Sequence, residues 1–509
     1  MRPDVLAAVD LGSNSFHLLV GRVVDEQIYP LDALRDPVRL GAGLTADKRI
    51  DRATQARALE ALARYSERLR GLPPQAVRAV GTNALRVAKN APAFLREARD
   101  VLGFPVEVIS GREEARLIWL GVAHTLPPAQ HRRLVLDVGG GSTELVVGEG
   151  LTPVLTESLY MGCVSWSLRF FEDGRIDKVR MKAAELAARQ ELAGVARTYR
   201  AARWQEAIAS SGTARAVEVI LRELGETEAG ISREGLARLR ALLIKHEAAD
   251  ARRIPGLGEN RAAVLPGGVA ILSAVFDELA LERATVSEGA LRHGVLYDLL
   301  GRVEHRDQRE ATVAQFMRRY HVDAEQAERV RALALRLYDE LAPRGLVAED
   351  DADRRLLGWA AQLAEIGLSI AHAQYHKHSA YIVSNADMPG FSRMEQSRLA
   401  RLVLAQRGKL GKVEALGVEG SDWTLVFALR LALVFHRSRT EVALPPLRVA
   451  ADAAGFALWL PPAWLEDNPL TADALASEAR YWKAVGMRFE LCPLADKRVA
   501  ALKGQAALG

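Results

Sequence analysis

Two stretches of this chain repeat one another in a single register, and that repeat limits the fold more than any other feature. Ala7-Ala8-Val9-Asp10-Leu11-Gly12-Ser13-Asn14-Ser15-Phe16-His17-Leu18-Leu19-Val20-Gly21 aligns with Leu134–Gly148 at an offset of 127 residues. Asp10/Asp137, Gly12/Gly139, Ser15/Ser142, Leu18/Leu145, Val20/Val147 and Gly21/Gly148 coincide without a gap. Each copy reads as an apolar strand ending in an acid, a glycine-bearing turn with hydroxyl residues, and an alternating return strand. One copy alone describes an ordinary hairpin. Two copies in one register point to a duplicated domain whose turns face each other across a cleft. Glycines let a turn bring successive N–H groups close to an anion. Gly12, Ser13, Asn14 and Ser15 on one side, and Gly139, Gly140, Gly141, Ser142 and Thr143 on the other, are therefore candidate phosphate cradles. Asp10 and Asp137, at the strand ends, are candidates to hold a metal ion against the same phosphate.

The 509 residues suffice for about three or four domains. With 49% hydrophobic and 26% charged residues, the composition is that of a soluble globular protein. The two cysteines, Cys163 and Cys492, build neither a disulfide framework nor a thiolate metal site, which fits a reducing compartment. No secretory leader and no apolar run of membrane-spanning length is read, so a cytoplasmic protein without membrane insertion is expected. A net charge of +4 is mild for this length and gives no ground for a DNA partner. Basic clusters do recur at Lys245/His246/Arg252/Arg253, Arg302/His305/Arg306/Arg309, Arg318/Arg319/His321 and His372/His376/Lys377/His378. Each alone suits a solvated helix face, and together they would suit a polyanion track.

Residues 5–40 read as three strands, including Phe16–Val24 and a run from Gln27 to Leu40, followed by a helix from about Thr54 to Arg70 and a strand at Val77–Val80. Thr82 reads as a helix N-cap, and Arg86, one turn in, as a surface arginine or a phosphate ligand. Ser110 followed by Glu113 forms a capping box, giving Glu113 a structural task. Glu114 has two open readings: a first-turn acid favoured by the helix dipole, or a carboxylate facing the cleft that deprotonates an attacking water. Ser211-Gly212-Thr213, between a strand at 207–210 and a helix start, reads as a tight turn that a duplicated domain would place where a further ligand-facing turn belongs. Alternating strands and helices through residue 300 give an α/β class. From Arg306 to about Arg437 the periodicity is helical, with Ala324–Ala342 and Arg354–Ala371 as examples. Residues 441–509 read as a small α+β piece with strands at Leu447–Ala450 and Gly455–Leu460 and a helix around Ala474–Val485.

With the paired loops, Gly81–Arg86, Ser110–Leu117, Met161–Ser165, Ser211–Thr213, Ser287–Tyr297 and His376–Tyr381 in hand, the chain resembles the exopolyphosphatase/guanosine pentaphosphate phosphohydrolase (Ppx/GppA) family in its long four-domain form. The resemblance implies a duplicated actin-like (ASKHA, ribonuclease H-like) α/β core with lobes at 1–125 and 126–303. It further implies an all-α HD-like domain at 304–440 and a small α+β domain at 441–509. It implies Glu114 as catalytic base, Asp10 and Asp137 serving Mg2+ and water, phosphate held by Gly12–Ser15 and Gly139–Thr143, positive charge from Arg86, and a homodimer. The HD metal pattern is broken, because Leu363-Ala364-Glu365-Ile366-Gly367 stands where His-Asp would be required, so no metal is expected there.

The expected activity is release of the terminal phosphate of inorganic polyphosphate, the alternative being 5′-hydrolysis of guanosine pentaphosphate (pppGpp) to ppGpp. Three consecutive glycines in the second loop, and His376-Lys377-His378-Ser379-Ala380-Tyr381, resemble the exopolyphosphatase branch more. An ATP-dependent kinase and a non-catalytic polyphosphate binder are the rivals from other classes.

Overall fold

The computed structural model describes residues 3–303, 307–341, 352–418, 420–441 and 443–494. It divides into two compact units, one of residues 1–308 with 389–393, the other of 309–388 with 394–509.

The first unit holds two sheets, and the sequence repeat is the reason they look alike. In the first sheet, strands β1 (Val5–Leu11), β2 (Phe16–Val24), β3 (Gln27–Asp36), β4 (Val77–Gly81) and β5 (Val106–Val108) lie in the order β3-β2-β1-β4-β5. The second sheet is built from β6 (Arg133–Val138), β7 (Thr143–Glu149), β8 (Thr152–Leu159), β9 (Glu206–Ser210), β10 (Ile231–Ser232) and β11 (Arg283–Val286), in the order β10-β11-β9-β6-β7-β8. Each begins with an antiparallel hairpin, β1–β2 or β6–β7, and the acid-ending strand then pairs in parallel with a later strand, β4 or β9. Even the irregularity repeats. The pairing register shifts between Val20 and Gly21 against β3 and between Val147 and Gly148 against β8, so the matched glycines mark matched bulges.

Parallel strands buried on both faces need helices on both sides. In the first lobe the helix Arg52–Leu69 turns Ala58, Leu62, Tyr65 and Leu69 inward, with its N-terminus capped by Asp51, whose carboxylate accepts the Thr54 N–H at 2.8 Å. On the other face lies Leu291–Val303, which packs on Gly111–Thr125, itself set against β6, β7 and β8 of the second sheet. Leu291–Val303 packs against β1, β2 and β4, so the chain returns to the first sheet at its end. Gly294 permits the crossing: a Cβ there would lie 1.7 Å from the Leu117 carbonyl oxygen.

A buried charge network fixes the same two helices. Asp298 takes Arg78 at 2.6 Å, Arg302 at 3.0 Å and also Arg116. Arg116 grips Glu113 through two bonds of 2.8 Å, and Glu113 accepts the Gly390 N–H at 2.9 Å. The Ser110 half of the expected capping box is present, its hydroxyl accepting the Glu113 N–H at 3.2 Å, but the Glu113 carboxylate serves this network instead of the helix end.

In the second unit, helices including Ala324–Leu341, Ala352–Leu363, Arg393–Ala405 and Asp422–Phe435 surround an apolar interior. The helix expected to continue to Ala371 stops at Leu363 and is followed by a 3-10 turn, Ile366–Ser369. There Gly367 packs so closely on the next helix that a Cβ would sit 2.2 Å from the Tyr375 carbonyl oxygen. A three-stranded sheet, β12 (Arg448–Asp452), β13 (Gly455–Leu460) and β14 (Arg488–Pro493), lies against the helix Asp422–Phe435, with Phe427 stacked on Phe456 at 4.2 Å. β14 pairs in parallel with β13 and was not read from the sequence; the preceding helix is Pro469–Lys483. Both cysteines are free thiols. No described helix is long and apolar enough to cross a membrane.

Candidate functional site

The two glycine turns meet in the first unit, around a polar cleft of about 120 Å³. An ideal Cβ on Gly140 would lie 3.0 Å from Ser13 Cβ and 3.1 Å from the Asn14 nitrogen, and one on Gly141 would lie 2.5 Å from Asn83 Oδ1. Glycine at these positions is therefore a requirement of close backbone approach. Hydrogen bonds hold each turn: Gly139 N–H to Ser142 O at 2.9 Å, Cys163 N–H to Gly139 O at 2.8 Å, and Gly41 N–H to Ser13 O at 2.7 Å. Of the residues singled out from the sequence, Asp10, Gly12, Ser13, Asn14, Ser15, Glu114, Asp137, Gly139, Gly140, Gly141, Ser142, Ser211, Gly212 and Thr213 line this cleft.

Two do not. Thr143 is fully buried and donates its hydroxyl to Met161 O at 2.6 Å, because strand alternation turns it away from the turn it follows. Arg86, expected to offer charge to phosphate, is instead committed to Glu114 Oε2 at 2.7 Å and to Ile109 O at 3.2 Å, with both charged side chains at most 10% exposed. It anchors the acid rather than lining the cleft. Thr82 starts its helix without a side-chain capping bond and lines the cleft instead. In the third turn, Ser211 sits at a φ of 98° with its hydroxyl accepting the Thr213 and Ala214 N–H groups, while Thr213 donates to Val138 O at 2.9 Å. Both hydroxyls thus shape the turn.

Several buried acids act on one another at the site. Burial, then the neighbouring Glu114, raises Asp10 to about 8. Burial raises Asp137 to about 6, against a bond from Ser210. Glu144, not singled out from the sequence, is pushed well up by burial and by Glu114 and Asp137, and it accepts from Ser158 Oγ at 2.8 Å. Its signal was present: it is a charged residue in an apolar strand, directly across β6–β7 from Asp137. Asp10 Oδ1 and Glu144 Oε2 are buried without a hydrogen-bond partner.

The cleft also holds three arginines that sequence reasoning missed. Arg215, Arg261 and Arg292 line the cleft without a carboxylate at ion-pair distance among the described residues. Arg215 Nη1 is buried and unpartnered. Burial holds Arg261 and Arg292 below the usual guanidinium value, and the same guanidinium charges, after burial, press His17 down to about 3. Gly212 makes room for Arg261: a Cβ there would lie 1.8 Å from Arg261 Nη2. Arg215 follows Thr213 by two residues and Arg292 lies within Ser287–Tyr297, so two of the three lie in or beside segments already marked; nothing local marks Arg261.

The basic clusters read from the sequence lie elsewhere. Arg302 belongs to the Asp298 network, Arg309 pairs with Glu395 and covers Trp359, and His305 and Arg306 fall outside the described residues.

Among the described residues, no three His, Cys, Asp or Glu side chains are grouped to hold a metal ion unaided. An ion such as Mg2+ takes one or two carboxylates and completes its shell with water and phosphate oxygens. The orphaned Asp10 Oδ1 and the raised Asp137 are carboxylates that such an ion would relieve.

A model described as the Ppx/GppA phosphatase family matches residues 19–303, and one described as Ppx/GppA phosphatase, domain III, matches residues 308–479. A protein of Aeromonas hydrophila named guanosine-5'-triphosphate,3'-diphosphate pyrophosphatase is 39% identical over 485 residues, 94% of this chain and 97% of that protein. An exopolyphosphatase from Cytophaga hutchinsonii of known structure is 26% identical with a TM-score of 0.53, covering 58% of this chain and 97% of its own. An Aquifex aeolicus member of the Ppx/GppA family is alike in fold at 24% identity and a TM-score of 0.50, with coverage of 58% and 97%.

Proposed function

Because the chain belongs to the Ppx/GppA phosphatase family, we propose that it hydrolyses the terminal phosphoanhydride of inorganic polyphosphate, releasing orthophosphate. Its core is the duplicated actin-like α/β fold of that family. The observation that carries the polyphosphate reading is the cleft lining: buried carboxylates share it with Arg215, Arg261 and Arg292, which have no carboxylate at ion-pair distance among the described residues, and His17 is the only ring among the described residues that line it. A linear polyanion needs repeated cationic contacts and no stacking surface, whereas a nucleotide gains from one.

In this reading the two glycine turns present N–H groups to the oxygens of the terminal phosphate. Glu114, steadied by Arg86, accepts a proton from the attacking water as its oxygen bonds to phosphorus. The anhydride P–O bond breaks, and its electron pair leaves on the shortened chain, where the three arginines offset the charge. Mg2+ held through Asp10 and Asp137 would neutralise charge on the reacting phosphate. No covalent intermediate is needed: Cys163, the cysteine at the cleft, is held as the neutral thiol because burial raises it. Homodimerisation belongs to the same reading and is measured by sedimentation.

A second reading, hydrolysis of pppGpp to ppGpp, is favoured by the name of the relative 39% identical to this chain. Parallel phosphate-release assays with magnesium on long polyphosphate, tripolyphosphate, pppGpp and ATP separate the two. The polyphosphate reading fails if catalytic efficiency on pppGpp exceeds that on long polyphosphate by more than about tenfold, about 1.4 kcal/mol in transition-state stabilisation. Phosphoryl transfer to an added acceptor would mark a kinase instead.

A further inference from the structure

The second unit contains a polar cavity of about 490 Å³, far from a packing defect in size and within the range of small organic ligand sites. One wall is built to be rigid. Arg430, 1% exposed, clasps Glu478 through bonds of 2.6 and 2.8 Å and donates to the carbonyls of Ala405 and Gly408, tying the 405–408 turn to the helix Pro469–Lys483. This arginine is neutralised and satisfied, so it shapes the cavity without claiming a ligand. At another wall Glu365 is occupied by Arg439 at 2.6 Å and raised by its burial, which makes it a poor metal ligand.

Among the described residues, one buried acceptor lacks a donor, and two guanidiniums lack a carboxylate. Gln406, 4% exposed, spends its amide nitrogen on Ala364 O at 2.7 Å and Val403 O at 2.8 Å, leaving Oε1 a buried acceptor with no donor. Such an orphan costs about 1–3 kcal/mol, which a ligand N–H or O–H would recover. Arg407 and Arg437 line the mouth with no carboxylate at ion-pair distance among the described residues. Arg407 lies 5.6 Å above the Tyr375 ring, and Arg430 lies 5.6 Å from the Tyr481 ring, so both tyrosines of the cavity sit beside guanidinium planes.

We propose that this cavity binds a nucleoside phosphate, with the phosphate on Arg407 and Arg437, the base against the tyrosine–guanidinium surfaces, and a ligand hydrogen-bond donor on Gln406 Oε1. Two guanidiniums without a carboxylate partner select an anion. The tyrosines and guanidinium planes select a flat ring. The volume exceeds what one inorganic phosphate fills. This site is separate from the hydrolytic cleft and does not depend on the substrate assigned there.

The test is calorimetric titration of the full-length protein with AMP and GMP, which lack an anhydride to hydrolyse, alongside orthophosphate and adenosine. At least one nucleotide should bind saturably, one per chain, with orthophosphate and adenosine each about tenfold weaker or more. Arg407→Ala/Arg437→Ala, and separately Arg437→Glu, should weaken that binding by about tenfold or more while phosphate release from tripolyphosphate is unchanged. Both arginines are surface-exposed, so neither change threatens the fold. The proposal is overturned by absence of saturable nucleotide binding, by binding that both variants retain, or by orthophosphate binding as tightly as the nucleotide.

Discussion

Adjacent glutamates at the start of the helix Gly111–Thr125 should respond in opposite ways to the same substitution. Glu113→Gln keeps shape but replaces an acceptor that holds Arg116 twice at 2.8 Å and the Gly390 N–H at 2.9 Å. Its side chain is 1% exposed, so water cannot replace the lost charge, and breaking a buried pair of this kind costs about 3–5 kcal/mol. At about 2–4 °C per kcal/mol, the first unit should melt about 6–20 °C lower. Glu114→Gln also loses a buried partner, Arg86 at 2.7 Å. Against that, it removes a charge that raises Asp10, Asp137 and Glu144, so relief of repulsion offsets the lost pair. The expected stability change is within about 1–2 kcal/mol, while removal of a general base lowers turnover by about 10²–10⁴-fold. Thermal unfolding by circular dichroism and phosphate release on long polyphosphate, run on both variants, decide the matter. A Glu114→Gln protein that melts earlier than Glu113→Gln yet still turns over would refute the assignment of roles.

Asp298 lies far below the usual carboxylate range; burial opposes this, but Arg116, Arg302 and Arg78 outweigh it. Its stabilisation is therefore present above the unfolded value of about 3.9 and lost as pH falls below it; Asp298→Asn should flatten that acid slope and lower the melting point at pH 7. Gly162→Ala would place a Cβ 2.4 Å from Gly140 C and Gly141 N, displacing the second glycine turn, and should abolish phosphate release in a protein that still melts cooperatively. Arg292→Ala should raise KM for long polyphosphate more than it lowers kcat and reduce the dependence of KM on salt; an unchanged KM would remove Arg292 from substrate contact. Elemental analysis of the purified protein should find no stoichiometric iron, manganese or zinc attributable to His372, His376 and His378.

Much of the cleft was legible because its makers are local and repeated. A hairpin that ends in an acid and turns on glycine is set by neighbours in sequence, and the matched spacing from Asp10 to Gly21 and from Asp137 to Gly148 supplied strands and turns, while the paired bulges showed only in the structure. The adjacency of Ser110 to Glu113 likewise distinguished Glu114 from its neighbour, although it did not show that Glu113 spends its carboxylate on Arg116.

Residues whose role depends on distant partners were not legible in the same way. An arginine reads alike whether it faces solvent, anchors an acid or awaits a phosphate, since nothing in its local pattern states which charges will be near it. Only the folded chain commits Arg86 to Glu114, Arg302 and Arg116 to Asp298, and leaves Arg215, Arg261 and Arg292 at one cleft without a carboxylate at ion-pair distance among the described residues. The return of Leu291–Val303 to the first sheet and the addition of β14 to β13 share that cause. Sequence periodicity determines which face of an element is apolar; which surface that face then covers is decided by long-range packing, where shape and burial of charge select one arrangement.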